Sequence, residues 1–266
     1  MKTETISVLR WNKGAKPLRL RDEVAMEEPL EIRVDTRPVS VTMRTPGQDE
    51  ELAAGFLLTE GLIQNRQQIS SIEPHPRHEL GNVLSVFLAP EVVVDFARLT
   101  RHVFASSSCG LCGKTTIQAV HGQFKPVAAK WRVPAKLLLG LPERLRQAQE
   151  TFGRTGGLHA AAIFTRDGEL VVLREDVGRH NAVDKVLGHG LLQGLLPFDR
   201  HILMVSGRTS FEIMQKALAG RIAMVAAISA PSSLAVQFAK KSRQTLAGFV
   251  RDERMNIYAR PERITF

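Results

Sequence analysis

At 266 residues, with 44% hydrophobic and 24% charged side chains, the chain is long enough to bury a substantial core and too apolar to be wholly disordered. No apolar run reaches the roughly 18 residues that a membrane-spanning helix needs, and the two cysteines share one short loop, which excludes a disulfide-stapled fold of the secreted kind. A formal charge of +9 calls for anions, but the cations are scattered and aromatics are only 6%, so a phosphate-rich small molecule satisfies the charge as well as nucleic acid does.

The polar start, Met1-Lys2-Thr3-Glu4-Thr5, leads into a β-like segment and carries no apolar core of an export signal, so the cytoplasm is the expected compartment. Alternation over 30–34 and 39–44 predicts two strands, with Thr36-Arg37-Pro38 as the turn between them. Leu52, Phe56, Leu57 and Ile63 share one face of a predicted helix over 49–63, with Gly61 near its end. A strand over 82–94, broken at Ala89-Pro90, precedes a loop rich in serine and glycine at 105–113. A helix over 134–149 follows, with proline in its first turn.

From Gly156 the pattern becomes a regular alternation. Strands at 160–165 and 169–174 flank Arg166-Asp167-Gly168, a hairpin turn. Then come a helix at 181–190, a buried strand at 201–205, a helix at 210–219, a strand at 222–228 and a helix at 232–240. Strands at 245–250 and 255–258 close the series. Met204, Met214 and Met224 fall on apolar elements and read as core. The pattern predicts an α+β N-terminal domain over residues 1–104, then the cysteine loop and an α/β domain over 105–266 whose sheet is covered on both faces.

The cysteine loop reads Ser106-Ser107-Ser108-Cys109-Gly110-Leu111-Cys112-Gly113-Lys114. Its glycines leave the backbone free to reach, and Lys114 with a helix start nearby favours a thiolate. This suits a cysteine that takes up a sulfane sulfur as a persulfide, with the second thiol releasing or protecting it. Other readings stay open here. Cys109 and Cys112 supply half a zinc site that His102 and His121 would complete, the pair resembles a thioredoxin-type redox motif, and incidental thiols are the plainest alternative.

Three later loops each open a helix: Glu175-Asp176-Val177-Gly178-Arg179-His180-Asn181, Ser206-Gly207-Arg208-Thr209-Ser210 and Ser229-Ala230-Pro231-Ser232-Ser233. Ligands of open α/β sheets bind beyond the carboxyl ends of strands, where free N–H groups and a positioned arginine hold phosphates. For each loop alone, serines acting as helix caps are the simpler account. Taken together, and carrying Arg179 and Arg208, the loops point to a polyanion site. His180 shares its loop with Asp176, Arg179 and Asn181, whereas His159, beside an apolar strand, reads as a core or edge residue.

These stretches also carry a family pattern. With Ser108-Cys109-Gly110-Leu111-Cys112-Gly113, Arg154-Thr155-Gly156-Gly157-Leu158-His159 and Thr245-Leu246-Ala247-Gly248-Phe249-Val250-Arg251, the chain resembles the FdhD family of formate dehydrogenase accessory sulfurtransferases from about residue 30 to its end. The resemblance implies a persulfide carrier that takes sulfur from a cysteine desulfurase on Cys109, with Cys112 as its helper. The sulfur passes to the molybdenum cofactor carrying two molybdopterin guanine dinucleotides, which then enters formate dehydrogenase. The family's cofactor-binding segment falls on Phe249, Val250, Arg251, Asp252, Glu253 and Arg254, and Ser206, Gly207, Arg208, Arg179 and His180 join it as expected binding residues. The family's second domain is cytidine-deaminase-like. Here the two helix starts read Gly178-Arg179-His180-Asn181 and Gly207-Arg208-Thr209-Ser210, without the His-x-Glu and Pro-Cys-x-x-Cys zinc set, so no metal and no deamination are expected. Two guanosine diphosphate arms per cofactor suggest a homodimer with one site per subunit, and neither nucleic acid nor membrane is an expected partner. The alternative is a chaperone that holds and delivers the cofactor without handling sulfur.

Overall fold

The computed structural model describes residues 2–75, 81–94, 96 and 124–266. Cys109, Cys112, Lys114, His102, His121 and the boundary expected at 104/105 lie outside the described residues.

The chain opens with a hairpin of β1, Thr3–Arg10, and β2, Leu18–Ala25, which forms a two-stranded sheet of its own. Next, β3 (Glu28–Val34) and β4 (Arg37–Arg44) pair antiparallel. Their turn falls at Asp35-Thr36, because Val34 pairs with Arg37 and Asp35 takes φ 54, a left-handed conformation that aspartate tolerates. Arg37 and Pro38, expected in the turn, therefore belong to the strand. Leu30, Ile32 and Val34 alternate into the core at 0% exposure, as a half-buried strand requires. β5 (Ile69–Pro74) and β6 (Val83–Leu88) complete a sheet in the order β4-β3-β6-β5. The strand expected to reach 94 stops at Leu88, where Val92 N donates to Ala89 O in a turn around Pro90.

Helix α1 (Asp49–Thr59) is shorter than the periodicity predicts. Gly61 takes φ +74, and the bonds from Gly61 N to Leu58 O and Leu62 N to Leu57 O form a Schellman stop that glycine makes easy.

The second sheet contains β8 (His159–Thr165), β9 (Leu170–Asp176), β10 (His201–Val205), β11 (Met224–Ala227), β12 (Thr245–Arg251) and β13 (Arg254–Ala259), in the order β13-β12-β11-β10-β8-β9. The short strands β7 (Val133–Pro134) and β14 (Ile264–Thr265) pair separately. β10, β11 and β12 run parallel, linked by α5 (Phe211–Ala219) and α6 (Ser233–Ser242), while β8 runs antiparallel to β10. The period of two sorts the side chains between two cores. Ala161, Ile163, Leu203, Val205 and Val225 join the cluster that also holds α1, α4 (Arg179–Leu192) and β3. Ala160, Ala162, Phe164, Ile202, Met204 and Met224 join the other, under α2 (Ala135–Gln147). The fold is mixed α/β, with helices on both faces of this sheet. A short helix α3 (Glu150–Thr155) follows α2.

The two halves meet where α1 crosses α4. A Cβ on Gly55 would collide with the Asp184 carbonyl, and one on Gly188 with the Glu51 carbonyl, so both glycines set how closely the backbones approach. The core is continuous across this crossing.

Candidate functional site

Because β8 is antiparallel to β10, the start of one lies beside the end of the other. Ala160 N donates to Ser206 Oγ (2.8 Å), and Ser206 N returns a bond to Ala160 O (3.0 Å). This brings His159 against Gly207, where a Cβ would lie 3.2 Å from His159 Nδ1 and 3.6 Å from Arg179 Cβ. The loops after β10, β11 and β12 are tied to one another. Thr209 N donates to Ala230 O, Ser232 N to Thr209 O, and Phe249 N to Ser229 O. Phe249 sits at a bulge in β12 with φ 52, a strained conformation for an aromatic residue and one that clusters at functional sites.

Ser210 Oγ accepts from Ile213 N and Ser232 Oγ from Ala235 N, so these two serines cap α5 and α6. Ser206 does other work, locking β8 to β10.

At the end of β9, Asp176 is fully buried. Its carboxylate meets Lys185 Nζ at 2.7 Å and accepts from Thr45 N, Gly178 N and Asn181 Nδ2. Asn181 also donates to Met43 O and accepts from Thr42 Oγ1, which fastens this loop to β4. The clamp leaves Arg179 and His180 at the open end of α4. His180 Nε2 lies 2.9 Å from Glu212 Oε2 and 3.1 Å from Ser210 Oγ. Burial works against ionising Glu212, but the His180 hydrogen bond and the nearby charges of His180, Lys216 and Arg179 outweigh it and hold the carboxyl below its ordinary range. Glu212 is thereby committed to His180. Arg179, Arg208 and Arg251 make no salt bridge among the described residues, and the Nε of Arg179 is buried without a hydrogen-bond partner.

Between these strand ends and α2 lies a cleft of about 790 Å³, within the ordinary range for a small-molecule site. His159, Ser206, Ile228, Arg251 and Asp252 line one wall. Burial pushes the His159 imidazole below its ordinary value, and the charges of Arg179, His180 and Arg208 push it further, with Asp176 opposing. A neutral ring offers one donor and one acceptor to a ligand.

The expected binding residues thus divide. Ser206, Arg251 and Asp252 line the cleft, Gly207 packs between His159 and Arg179, and Arg179, Arg208 and His180 act on the charge of His159. The Val250 side chain is buried under α2, while Glu253 and Arg254 are exposed at the turn into β13. His159, expected from its apolar neighbours to be a core or edge residue, lines the cleft. The signal that finds it is pairing: it directly precedes Ala160, whose strand must lie beside the end of β10. The α2 wall carries no motif at all.

The sequence matches the FdhD/NarQ family over residues 25–265. The sulfur carrier protein FdhD of Streptomyces avermitilis is 48% identical over 275 aligned residues, covering 98% of this chain and 95% of that protein. The protein of the same name from Mycolicibacterium paratuberculosis is 50% identical, over 91% of this chain and 92% of its own length. The crystal structure of a candidate formate dehydrogenase accessory protein from Desulfotalea psychrophila shares the fold, with a TM-score of 0.79 and 26% identity over 100% of both chains. A match over nearly the whole chain, with relatives close to half identical, settles descent: the chain belongs to the FdhD/NarQ family.

Proposed function

We propose that the chain is a sulfur carrier and sulfurtransferase that loads sulfur from a cysteine desulfurase onto Cys109. The substrate that receives it is the bis-molybdopterin guanine dinucleotide molybdenum cofactor of formate dehydrogenase. The observation that carries the nucleotide half of this reading is the strand-end cleft. Arg251 lines it beside His159, and burial together with the charges of Arg179 and Arg208 holds that imidazole below its ordinary value; none of the three arginines makes a salt bridge among the described residues. Unpaired cations at strand ends and helix starts are what a diphosphate needs. The sulfur half is supported by the names of the relatives and by the paired cysteines.

The Cys109 thiolate attacks the outer sulfur of the desulfurase persulfide, the desulfurase cysteine leaves as thiolate, and Cys109 holds the persulfide. Attack of the Cys112 thiolate on the inner sulfur then releases hydrosulfide and leaves a Cys109–Cys112 disulfide. The hydrosulfide exchanges for an oxygen ligand of the cofactor, which departs as hydroxide and is protonated to water, and a thiol reductant resets the disulfide. The residues of the cleft bind and orient the guanosine diphosphate arm. Two such arms per cofactor favour a homodimer, and the work belongs in the cytoplasm. No helix among the described residues is long and apolar enough to cross a membrane.

The finer fold assignment, a cytidine-deaminase-like sheet without zinc, belongs to the same proposal. A hairpin followed by parallel strands with helical crossovers supports it. So do the starts of α4 and α5, where Gly178-Arg179-His180 and Gly207-Arg208-Thr209 stand in place of zinc ligands.

The test is intact-mass spectrometry after incubation with cysteine and a cysteine desulfurase, beside calorimetry with guanosine diphosphate. A reducible gain of about 32 mass units, one sulfur atom, absent in Cys109→Ala, supports the carrier. Nucleotide binding with no added sulfur would instead favour a cofactor-delivering chaperone.

A further inference from the structure

The hairpin at the start of the chain turns its polar face to the body of the protein. β1 and β2 pair with Ile6 opposite Asp22, Val8 opposite Leu20 and Arg10 opposite Leu18, so Ile6, Val8, Leu18, Leu20 and Val24 share one face. Thr3, Thr5, Ser7, Glu23 and Ala25 share the other. A two-sided antiparallel sheet ordinarily packs its apolar face inward and leaves its polar face to water. Here the order is reversed. Arg154 of α3 meets Glu23 Oε2 at 2.5 Å and donates to Thr3 Oγ1 at 3.2 Å, and a Cβ on Gly157 would lie 3.5 Å from that of Ala25. The apolar face is left outside, with Leu18 64% exposed and Ile6 and Val24 36% each, and Trp11 beyond the end of β1 is 63% exposed. A two-stranded hairpin is marginal in water without a layer over its apolar face, and exposed apolar surface of this kind marks an interaction site.

Charge identifies the missing layer. Arg10, Lys13, Lys16, Arg19 and Arg21 place five cations between residues 9 and 21, a stretch without an acid. Of the five, only Arg10 makes an ion pair among the described residues, with Asp22 at 3.6 Å. A second copy of the chain would set these cations against themselves. The acids it could offer on this face are Glu4 and Asp22, and Asp22 already answers Arg10. A lipid surface fits no better, because the exposed turn of residues 12–17 would enter first and it carries Lys13 and Lys16. The mount shows where the partner works. α3 is pinned from its other side by the buried Glu175, whose carboxylate accepts from Thr151 N at 2.9 Å and Phe152 N at 2.7 Å. Phe152, Gly156 and Gly157 then line the cleft, so a protein seated on the hairpin is held beside it. We propose that the hairpin is the docking surface for a protein that presents an apolar patch ringed by carboxylates, and that this protein is the formate dehydrogenase taking the cofactor from the cleft. The identity of the partner rests on the proposed function, which assigns the hairpin no role.

The experiment measures binding of the full chain to immobilised, cofactor-free formate dehydrogenase, for the wild type and three variants at exposed positions: Leu18→Ser, Trp11→Ala, and Lys13→Glu combined with Lys16→Glu. Leu18→Ser and Trp11→Ala should each weaken binding by about tenfold, mostly through faster dissociation. The double charge reversal should slow association by about tenfold at low salt, and the difference should shrink as salt is added. Guanosine diphosphate affinity and the mass gain on Cys109 from the desulfurase should stay at wild-type values in all three. Dehydrogenase binding that no variant changes, or no dehydrogenase binding by the wild type, would overturn the docking surface. The carrier reading would still stand if nucleotide binding and the mass gain persist, and it falls only when those two are lost from the wild type. A variant that loses the mass gain while keeping the dehydrogenase would give the hairpin to the desulfurase and overturn the proposal. So would a wild-type dimer that the variants break, seen by light scattering, or wild-type binding to phosphatidylglycerol vesicles that the variants abolish.

Discussion

Charge is handled in opposite ways on the buried side of α4 and at its open start. Inside, Asp184 meets Lys216 at 2.8 Å with Thr59 Oγ1 bonded to both, and Asp176 meets Lys185 at 2.7 Å with Thr45 closing the network. Every one of these charges has an opposite charge and neutral partners as well. Toward the cleft, a few residues away, Arg179, Arg208 and Arg251 make no salt bridge among the described residues, and Glu212, the acid that feels the charge of Arg179, is hydrogen-bonded to His180. Matched charges specify where α1, α4, α5 and β4 sit. Unmatched ones leave a standing attraction for something from outside, which is why removing them should cost binding rather than stability.

The largest effect should come from breaking an interior pair. Asp176→Ala strands Lys185 as a buried cation and orphans the N–H groups of Thr45 and Gly178, so a loss of about 3–5 kcal/mol is expected in chemical denaturation. Replacing both partners, Asp176→Leu with Lys185→Met, should recover part of that loss, because no unpaired charge remains. Recovery stays incomplete, since the two backbone donors still lack an acceptor. If Asp176→Ala proved neutral, the interior pairs would be no different in kind from the rim. A second, smaller break is Gly188→Ala, which forces α4 away from α1 at the Glu51 carbonyl. Overpacking of this kind costs about 1–3 kcal/mol, read as a lowered denaturation midpoint.

Arg179→Ala is the converse case. It deletes a cation that repels Arg208 and the other rim charges, so the thermal midpoint should hold steady or rise slightly. Guanosine diphosphate affinity should fall by about tenfold, the effect of one lost charged contact, and the fall should shrink in high salt. A drop in stability without a change in affinity would place Arg179 with the interior set.

The same contrast explains what was legible in the sequence. Buried strands of the second sheet announce themselves as short apolar runs, and Ser210, Ser232 and Gly61 mark helix ends by their own chemistry. The strand-end loops stood out because serine, glycine and arginine crowd there. β1 shows only as a β-like start and β2 not at all, because both strands expose most of both faces and so lack a clean alternation. α3 is too short to show a period. Asp176 read as one more polar loop residue, since only the fold brings it to Lys185 and Thr45. Glu143 and Arg146 look like ordinary surface of an amphipathic helix, and what places them on the cleft is the wall opposite, which lies far along the chain.

The smallest effect, and the one that tests the field of the rim itself, is the acid response of His159. In the unfolded chain its imidazole titrates near 6.5; folded, burial and then the charges of Arg179, His180 and Arg208 hold it lower. Above the unfolded value the ring is neutral in both states and adds no pH dependence. As pH falls through 6.5 the unfolded chain takes up the proton first, so stability drops until the folded ring also protonates. His159→Asn removes this loss. Urea midpoints between about pH 5 and 8 should run parallel to wild type in the upper half of that window and fall less steeply below it. Glu212, held below its ordinary 4.5, adds its own acid loss only beneath this window, and His201, also lowered by burial, is common to both proteins and cancels in the difference. Saturating guanosine diphosphate sharpens the test. Its phosphates offset the rim cations and raise the folded imidazole, so the acid loss of the wild type should shrink toward that of His159→Asn. An unchanged loss with nucleotide bound would mean that burial alone depresses the ring and that the diphosphate lies away from it.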